Sequence, residues 1–239
     1  MSGYERRHQT RRDKEREYSV DEEQDVPGLS EAVVANMRVG DHVNFGRRLP
    51  LAKEYVREPI EWRVLEVAED TILLLADEVL TVSEYYSGKS WDTWENSVVR
   101  EVLNNAYYFN YFSPLERRQI ADTHLVNDSG RCFFVKNIAG GNDTIDKVFV
   151  LSVAEVKKYM RTWNSRRAFP ADHFIGVWAG DFDSFIKSVA YWVRNPGVDP
   201  WHGKTVTKCG NFNGQEFYVS HLCGVRPALR LKRDPNEWK

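Results

Sequence analysis

The 239-residue sequence has little that would tie it to a membrane or to an oxidising compartment. No run of about 18 apolar residues is present, so no segment is predicted to cross a bilayer as a helix. The stretch from Tyr4 to Asp25 is charged and lacks the apolar core of a secretory signal peptide. There are only three cysteines, Cys132, Cys209 and Cys223, without CxxC spacing. This pattern favours reduced thiols over a disulfide framework or a zinc site, and we expect a cytoplasmic protein.

A large excess of positive or negative charge is lacking as well. The formal net charge is -2, which supplies no global attraction toward nucleic acid or an anionic membrane. The arginines of residues 5–16 are interleaved with Glu and Asp, which dilutes any positive field over phosphate. We therefore expect neither a membrane partner nor a nucleic-acid partner. Aromatic residues are abundant, with eight Trp, eleven Tyr and twelve Phe, and they can fill a sizeable core.

Composition divides the chain into three segments. Residues 1–28 are dense in charge and poor in large apolar side chains, so they are predicted to be disordered or loosely helical. A role of this segment in oligomerisation is the alternative. Residues 29–233 are predicted to form a single domain, and residues 234–239 a polar tail.

Apolar patterning predicts both strands and helices. Three consecutive strands are predicted at Val39–Gly46, Ile60–Val67 and Thr71–Ala76, and short connections favour an antiparallel sheet. Residues 78–90 are predicted to be irregular, and a further strand is predicted at Lys147–Leu151. Helices are predicted at Leu29–Met37, Val98–Asn105, Pro114–Ala121 and Val153–Met160, the first, third and fourth with N-capping serines at 30, 113 and 152.

The C-terminal third, residues 188–232, holds the candidate site. Ala190–Gly197 and Gly224–Leu231 are each predicted to be a short buried strand, and the segment between them is polar, aromatic and spaced by glycines. Loops held by a rigid frame commonly carry binding residues. The candidate ligand contacts are Trp178, Asp181, Asn195, Trp201, His202, Asn211, Asn213, Glu216, Tyr218 and His221. Core packing of some of these aromatic residues is the alternative, and Arg194 and Arg226 are predicted to brace the frame.

An ordered set of short motifs resembles a known family. The motifs are Val39-Gly40-Asp41, Pro59 to Leu65, Ile72 to Leu75, Thr93 to Ser97, Leu103 to Asn105, Asp146 to Ser152, Trp192 to Gly197 and Gly224 to Leu229. Together they resemble the bacterial DUF6273 domain family, whose function is unknown. The sequence departs from the usual family pattern at Tyr191 and Asn195, and residues 198–222 match no motif of the family.

The resemblance implies an α+β, C-type-lectin-like fold, in the branch shared with formylglycine-generating enzymes and retroelement variable proteins. Such a fold has a small, twisted antiparallel sheet, flanking helices and a long loop excursion near the C-terminus. Its terminal strands pair, and the preceding loops display the ligand surface.

Catalytic and metal chemistry find weaker support. The resemblance to formylglycine-generating enzymes suggests a copper-dependent oxidase with paired thiols, but Cys209 and Cys223 lack the surrounding motif. Ser220 and His221 are adjacent, and neighbouring strand residues point to opposite faces. Asp181 and Asp183 supply oxygens suited to calcium, but the calcium tripeptides of sugar-binding C-type lectins are absent. We expect no cofactor and no catalytic residues.

These observations favour a non-enzymatic binding module for a protein, peptide or glycan ligand. A sharper hypothesis is a variable protein of a diversity-generating retroelement. Adenine-directed mutagenesis scatters asparagine and tyrosine codons, and Asn211, Asn213 and Tyr218 lie near the C-terminus as such a region would. The alternative is an oxidase of the formylglycine-generating type on the same fold.

Overall fold

The computed structural model describes residues 26–48, 57–87, 93–130, 138–171, 188–199, 201–213 and 217–239. The described residues form a mixed α+β fold with two five-stranded sheets. The predictions for residues 1–25 and for Trp178, Asp181 and Glu216 lie outside the described residues.

The first sheet contains the three consecutive strands that the sequence predicts. Its order is β1-β2-β3-β14-β8, and every neighbouring pair is antiparallel. Residues 68–70 close the hairpin between the second and third strands, where the Ala68 amide donates to the Thr71 carbonyl over 2.9 Å. The strands are β1 His42–Arg48, β2 Glu58–Val67, β3 Thr71–Ala76, β8 Val148–Phe149 and β14 Ala228–Lys232.

The last strand does not pair with the first. β14 lies between β3 and β8, whereas β1 is at the sheet edge. Among the strands that the structure describes, the pairing of terminal strands expected from the resemblance is therefore wrong. The predicted strand at Lys147–Leu151 is also shorter than expected, because only Val148 and Phe149 pair with β14.

The second sheet has the order β12-β11-β10-β13-β5, with β10 and β13 parallel and the other pairs antiparallel. The prediction that residues 78–90 are irregular is wrong in part, since two short strands, β4 and β5, form there around the buried Val79 and Leu80. The second-sheet strands are β5 Thr81–Ser83, β10 Tyr191–Pro196, β11 Gly203–Val206, β12 Phe212–Asn213 and β13 Cys223–Val225. Two small sheets pair β4 Glu78–Val79 with β9 Phe169–Pro170 and β6 Thr123–Leu125 with β7 Thr144–Asp146.

The single closing strand predicted at Gly224–Leu231 is two strands in two different sheets. The chain leaves β13 in the second sheet, turns at Arg226 and Pro227, and enters β14 in the first. Pro227 has no amide hydrogen to continue a ladder, but its carbonyl accepts from the Ala76 amide over 2.9 Å. The buried Arg226 side chain donates through Nε to the Ala76 carbonyl over 2.7 Å. Arg226 therefore braces the junction of the sheets, as predicted.

Short helices cover the sheets and begin at the predicted serines. The Ser113 and Ser152 hydroxyls each accept from the amide three residues later, and a glutamate there bonds back, forming capping boxes. A π-helical turn, Leu103–Tyr107, follows α2, and a 3-10 turn, Pro235–Trp238, lies within the predicted polar tail. The helices are α1 Glu31–Asn36, α2 Val98–Val102, α3 Tyr108–Tyr111, α4 Pro114–Gln119, α5 Val153–Tyr159 and α6 Trp163–Arg166.

The apolar core links these helices to both sheets. Trp62, Trp94 and Trp192 are fully buried, and the Phe112 ring packs against Phe45 and Trp62 at centroid distances of 5.4 and 6.2 Å. In the part of the chain that the structure describes, no helix is both long and apolar enough to cross a membrane.

Candidate functional site

Strand β10 is the rigid support of the candidate site. Its Trp192 is buried and donates through Nε1 to the Ser83 carbonyl over 2.8 Å. The Tyr85 ring packs edge-on against Trp192, and the Tyr85 hydroxyl donates to the Arg194 carbonyl over 3.0 Å. Hydrogen bonds to buried backbone carbonyls are costly to lose, so these side-chain contacts tie β10 to Ser83 and Tyr85, at and just after the end of β5.

The buried Arg194 ties β10 to the start of α5. Its guanidinium donates to both carboxylate oxygens of Glu155, over 2.5 and 3.1 Å, and to the Val150 carbonyl over 3.0 Å. Burial alone would raise the pKa of the Glu155 carboxyl, but the hydrogen bonds and charge of Arg194 outweigh it and lower the pKa. Arg194 thus braces the frame, as predicted.

Asn195 also serves the start of α5. Its Oδ1 accepts from the Val153 amide over 2.6 Å, and the side chain is half-buried. This bond satisfies a backbone donor that a helix start leaves without an intrahelical partner. The structure therefore places the predicted ligand contact Asn195 at a helix cap.

The rings of three other predicted residues come together at the surface, and a fourth, Trp201, directly precedes His202 in the chain. The Tyr218 ring lies 4.5 Å from the His202 ring and 5.1 Å from the His221 ring, centroid to centroid. Trp201 is 52% exposed and Tyr218 is 50% exposed. We refer to Trp201, His202, Tyr218 and His221 as the aromatic cluster.

Backbone hydrogen bonds hold the two segments of the aromatic cluster together. Residues 202 and 218 form an isolated antiparallel bridge. The Val219 amide donates to the Trp201 carbonyl over 2.8 Å, and the Gly203 amide donates to the Phe217 carbonyl over 3.0 Å. The His221 amide donates to the Tyr218 carbonyl over 2.9 Å, which folds 218–221 into a turn. The two segments are thus fixed by main-chain bonds, and the contacts of the Tyr218 ring with His202 and His221 add to them.

Asp199 orients the first half of the cluster. One carboxylate oxygen accepts from the Trp201 amide over 2.8 Å and the His202 amide over 3.1 Å, and it lies 2.7 Å from Nδ1 of His202. Burial would raise the pKa of the Asp199 carboxyl, but the bonds from His202 and the Trp201 amide lower it. Because an ionised carboxylate only accepts, the hydrogen of a neutral His202 lies on Nδ1.

A family model described as a domain of unknown function, DUF6273, matches residues 69–233. The chain belongs to the DUF6273 family. No curated protein matches the chain, and no solved structure matches it. The DUF6273 region begins just before β3 and ends just after β14, and these two strands pair with each other from Thr71 opposite Lys232 to Leu75 opposite Ala228. It also contains the whole aromatic cluster, whereas β1 and β2 precede it.

Asn211 and the backbone of Asn213, the remaining described candidates of the DUF6273 region, lie away from the cluster. Asn211 is exposed in the turn between β11 and β12, where its carbonyl accepts from the Thr207 amide over 2.7 Å. This turn follows Val206, at the opposite end of β11 from His202. Asn213 contributes its backbone to β12, opposite Thr205.

Two residues near the cluster were missed by the sequence analysis. Asp199 carried a usable signal, because an aspartate just before a turn commonly accepts from amides two or three positions later. Leu222 is 56% exposed beside His221, and nothing in the sequence separates it from the buried residues that follow.

The two described cysteines of the DUF6273 region differ sharply in environment. Cys209 is exposed in the turn before Asn211, whereas Cys223 is buried in β13, and neither forms a disulfide. An exposed thiol and a buried thiol differ in their access to solvent and oxidant.

Proposed function

We propose that this DUF6273 protein is a non-enzymatic binding module whose ligand contacts the aromatic cluster. The observation that supports the proposal is the contact of the Tyr218 ring with the His202 and His221 rings. A main-chain bridge between residues 202 and 218 holds these rings, and about half of the Tyr218 surface and of the adjoining Trp201 surface is open to solvent. Rigid aromatic side chains give contact area at low conformational entropy, which is why they are enriched at binding surfaces.

The ligand class that fits best is a peptide segment or the surface of a folded protein. Trp201, Tyr218 and the neighbouring Leu222 offer exposed apolar area, and the exposed His221 adds the polar atoms of an imidazole. A glycan would need several planar polar side chains around the rings. Asp199 is already engaged with His202 and two amides, so it serves the loop and is poorly placed for sugar hydroxyls.

We further propose that the domain is C-type-lectin-like. Support comes from the α+β architecture, the pairing of β3 with β14 at the two ends of the family match, and the display of the cluster between β10 and β13. Comparing an experimental structure with lectin-like folds tests this assignment.

Diversification by a retroelement is a separate proposal, supported by the exposed Asn211 and Tyr218. A search of the genome for a template repeat beside a reverse transcriptase gene would test it.

The binding proposal is tested by selecting peptides from a displayed library on the purified full chain. Selected peptides should bind the wild type and should bind Tyr218→Ala at least about tenfold more weakly, a change of about 1.4 kcal/mol. Trp163→Ala is the matched control, because Trp163 is 65% exposed on α6 and lies outside the cluster. An equal loss of peptide affinity in the two variants would contradict the proposal. So would binding to a glycan array by a protein that selects no peptide from the library.

A further inference from the structure

Three potential metal ligands converge on the outer face of the first sheet. His42 lies opposite Arg63 across β1 and β2, so their side chains share a face. Glu61 lies two residues before Arg63 and therefore on that same face, opposite to the buried Trp62 and Val64. Asp77 follows β3, and its amide donates to the Glu61 carbonyl over 3.1 Å. Backbone pairing thus brings one imidazole and two carboxylates to one place.

The ligand atoms are spaced for a small ion. Nδ1 of His42 is 2.6 Å from Oδ2 of Asp77 and 3.4 Å from Oε1 of Glu61. All three atoms lie within 4.8 Å of one another. Zinc bonds of about 2.0–2.2 Å in a tetrahedron place neighbouring ligand atoms about 3.4 Å apart. The His42–Glu61 separation has this value already, and the His42–Asp77 separation needs to lengthen by about 0.8 Å, within the reach of side-chain torsions.

Arg63 positions one of the ligands. Its Nη2 donates to Oδ1 of Asp77 over 2.8 Å, and the Asp77 side chain is only 13% exposed. Oδ2 is thereby directed toward His42. Carboxylates that bind a metal are commonly oriented by such a hydrogen bond from a residue outside the coordination shell.

We propose that His42, Glu61 and Asp77 bind one zinc ion, with the remaining position open to solvent. One imidazole nitrogen and two carboxylates suit Zn²⁺, whereas Ca²⁺ takes six to eight oxygens. The positive charge of Arg63 offsets part of the negative charge of Glu61 and Asp77. This further disfavours Ca²⁺, which these side chains would hold mainly by charge. His42 and Glu61 precede the DUF6273 match and Asp77 lies within it, so the site joins residues on both sides of the start of the matched region. Metal binding requires an unprotonated imidazole nitrogen.

The test is calorimetric titration of zinc chloride into the metal-stripped full chain in a non-chelating buffer. We expect one saturable equivalent, and we expect His42→Ala to weaken it more than about tenfold, the smallest loss typical even of outer-shell partners. The matched control is His124→Ala, because His124 pairs with Asp143 at 3.6 Å without a second carboxylate among the described residues. Cys209→Ser excludes binding by the exposed thiol.

Glu61→Gln provides a second variant, since Glu61 is exposed and its replacement should leave folding, followed by far-UV circular dichroism, intact. It should weaken zinc binding as His42→Ala does. The proposal is overturned if the wild type shows no saturable binding, if His42→Ala and Glu61→Gln bind as the wild type does, or if calcium chloride binds as tightly as zinc.

Discussion

Replacing Arg194 by methionine should destabilise the domain strongly, because it leaves a carboxylate without its cation. Arg194 is 5% exposed and holds both oxygens of Glu155, whose side chain is 26% exposed. Removing one partner of a buried ion pair costs about 3–5 kcal/mol. The partial exposure of Glu155, and the Ser152 amide that still donates to it over 2.7 Å, place the expected loss near the lower end, about 3 kcal/mol.

Urea denaturation at neutral pH measures this loss. With an m-value of about 3 kcal/mol per molar urea, the Arg194→Met midpoint should fall by about 1 M. Arg194→Met combined with Glu155→Gln should recover at least about 1 kcal/mol, since the buried charge is then gone. Lys158→Met is the matched control. Its exposed ion pair with Glu66 should contribute less than about 1 kcal/mol.

The same variant changes the dependence of stability on pH. In the wild type the pKa of Glu155 is lower folded than unfolded, so its contribution is present above the ordinary carboxyl pKa and is lost as pH falls through the folded pKa. Arg194→Met should flatten this acid limb. A midpoint within experimental error of the wild type, together with an unchanged acid limb, would refute the bracing role of Arg194.

Two further outcomes are expected. Hydrogen bonds from Lys158, Arg230 and Tyr159 lower the pKa of Glu66 to about 2. Glu66→Gln should therefore remove a contribution to stability that is present above about pH 4.5 and is lost as the pH falls toward 2. Identical acid unfolding of the wild type and the variant would contradict this. In a Cys132→Ser background, Ellman's reagent should modify Cys209 rapidly in the folded protein and Cys223 only on unfolding; equal rates would show that β13 opens in the native state.

Local patterns predicted the regular elements well. Period-two alternation in residues 60–67 and the continuous apolar run at 71–76 both became strands of one antiparallel sheet. Ser113 and Ser152 each mark a helix start because a hydroxyl followed by glutamate three residues later satisfies two backbone donors. Such signals are visible in the sequence because all the participating groups lie within a few residues.

Features set by distant contacts were not predictable. Residues 224–231 read as one apolar strand, yet the chain changes sheets at Arg226 because the Ala76 backbone accepts from Arg226 and donates to Pro227. No residue close to Arg226 in the sequence indicates that the Ala76 backbone is its partner. Likewise, Lys147–Leu151 has strong strand character, but β14 offers pairing to only two of its residues.

The candidate site was predictable in composition and only partly in geometry. The sequence pointed to a polar and aromatic segment between β10 and β13, and the rings of three of its residues, His202, Tyr218 and His221, meet there. It did not reveal that Asn195 caps α5, or that β11 separates Asn211 from His202. The cap depends on a contact between Val153 and Asn195, and the separation depends on the β10–β11 register, and no local pattern encodes either.

The most direct measurement of the central claim is a histidine-selective NMR titration with a peptide selected on the wild-type protein. The chain has six histidines, and single substitutions assign their ring resonances. Binding at the aromatic cluster should shift His202 and His221 and leave His42 and His124 unchanged. Saturable binding that leaves His202 and His221 unshifted would contradict the claim that this surface holds the ligand.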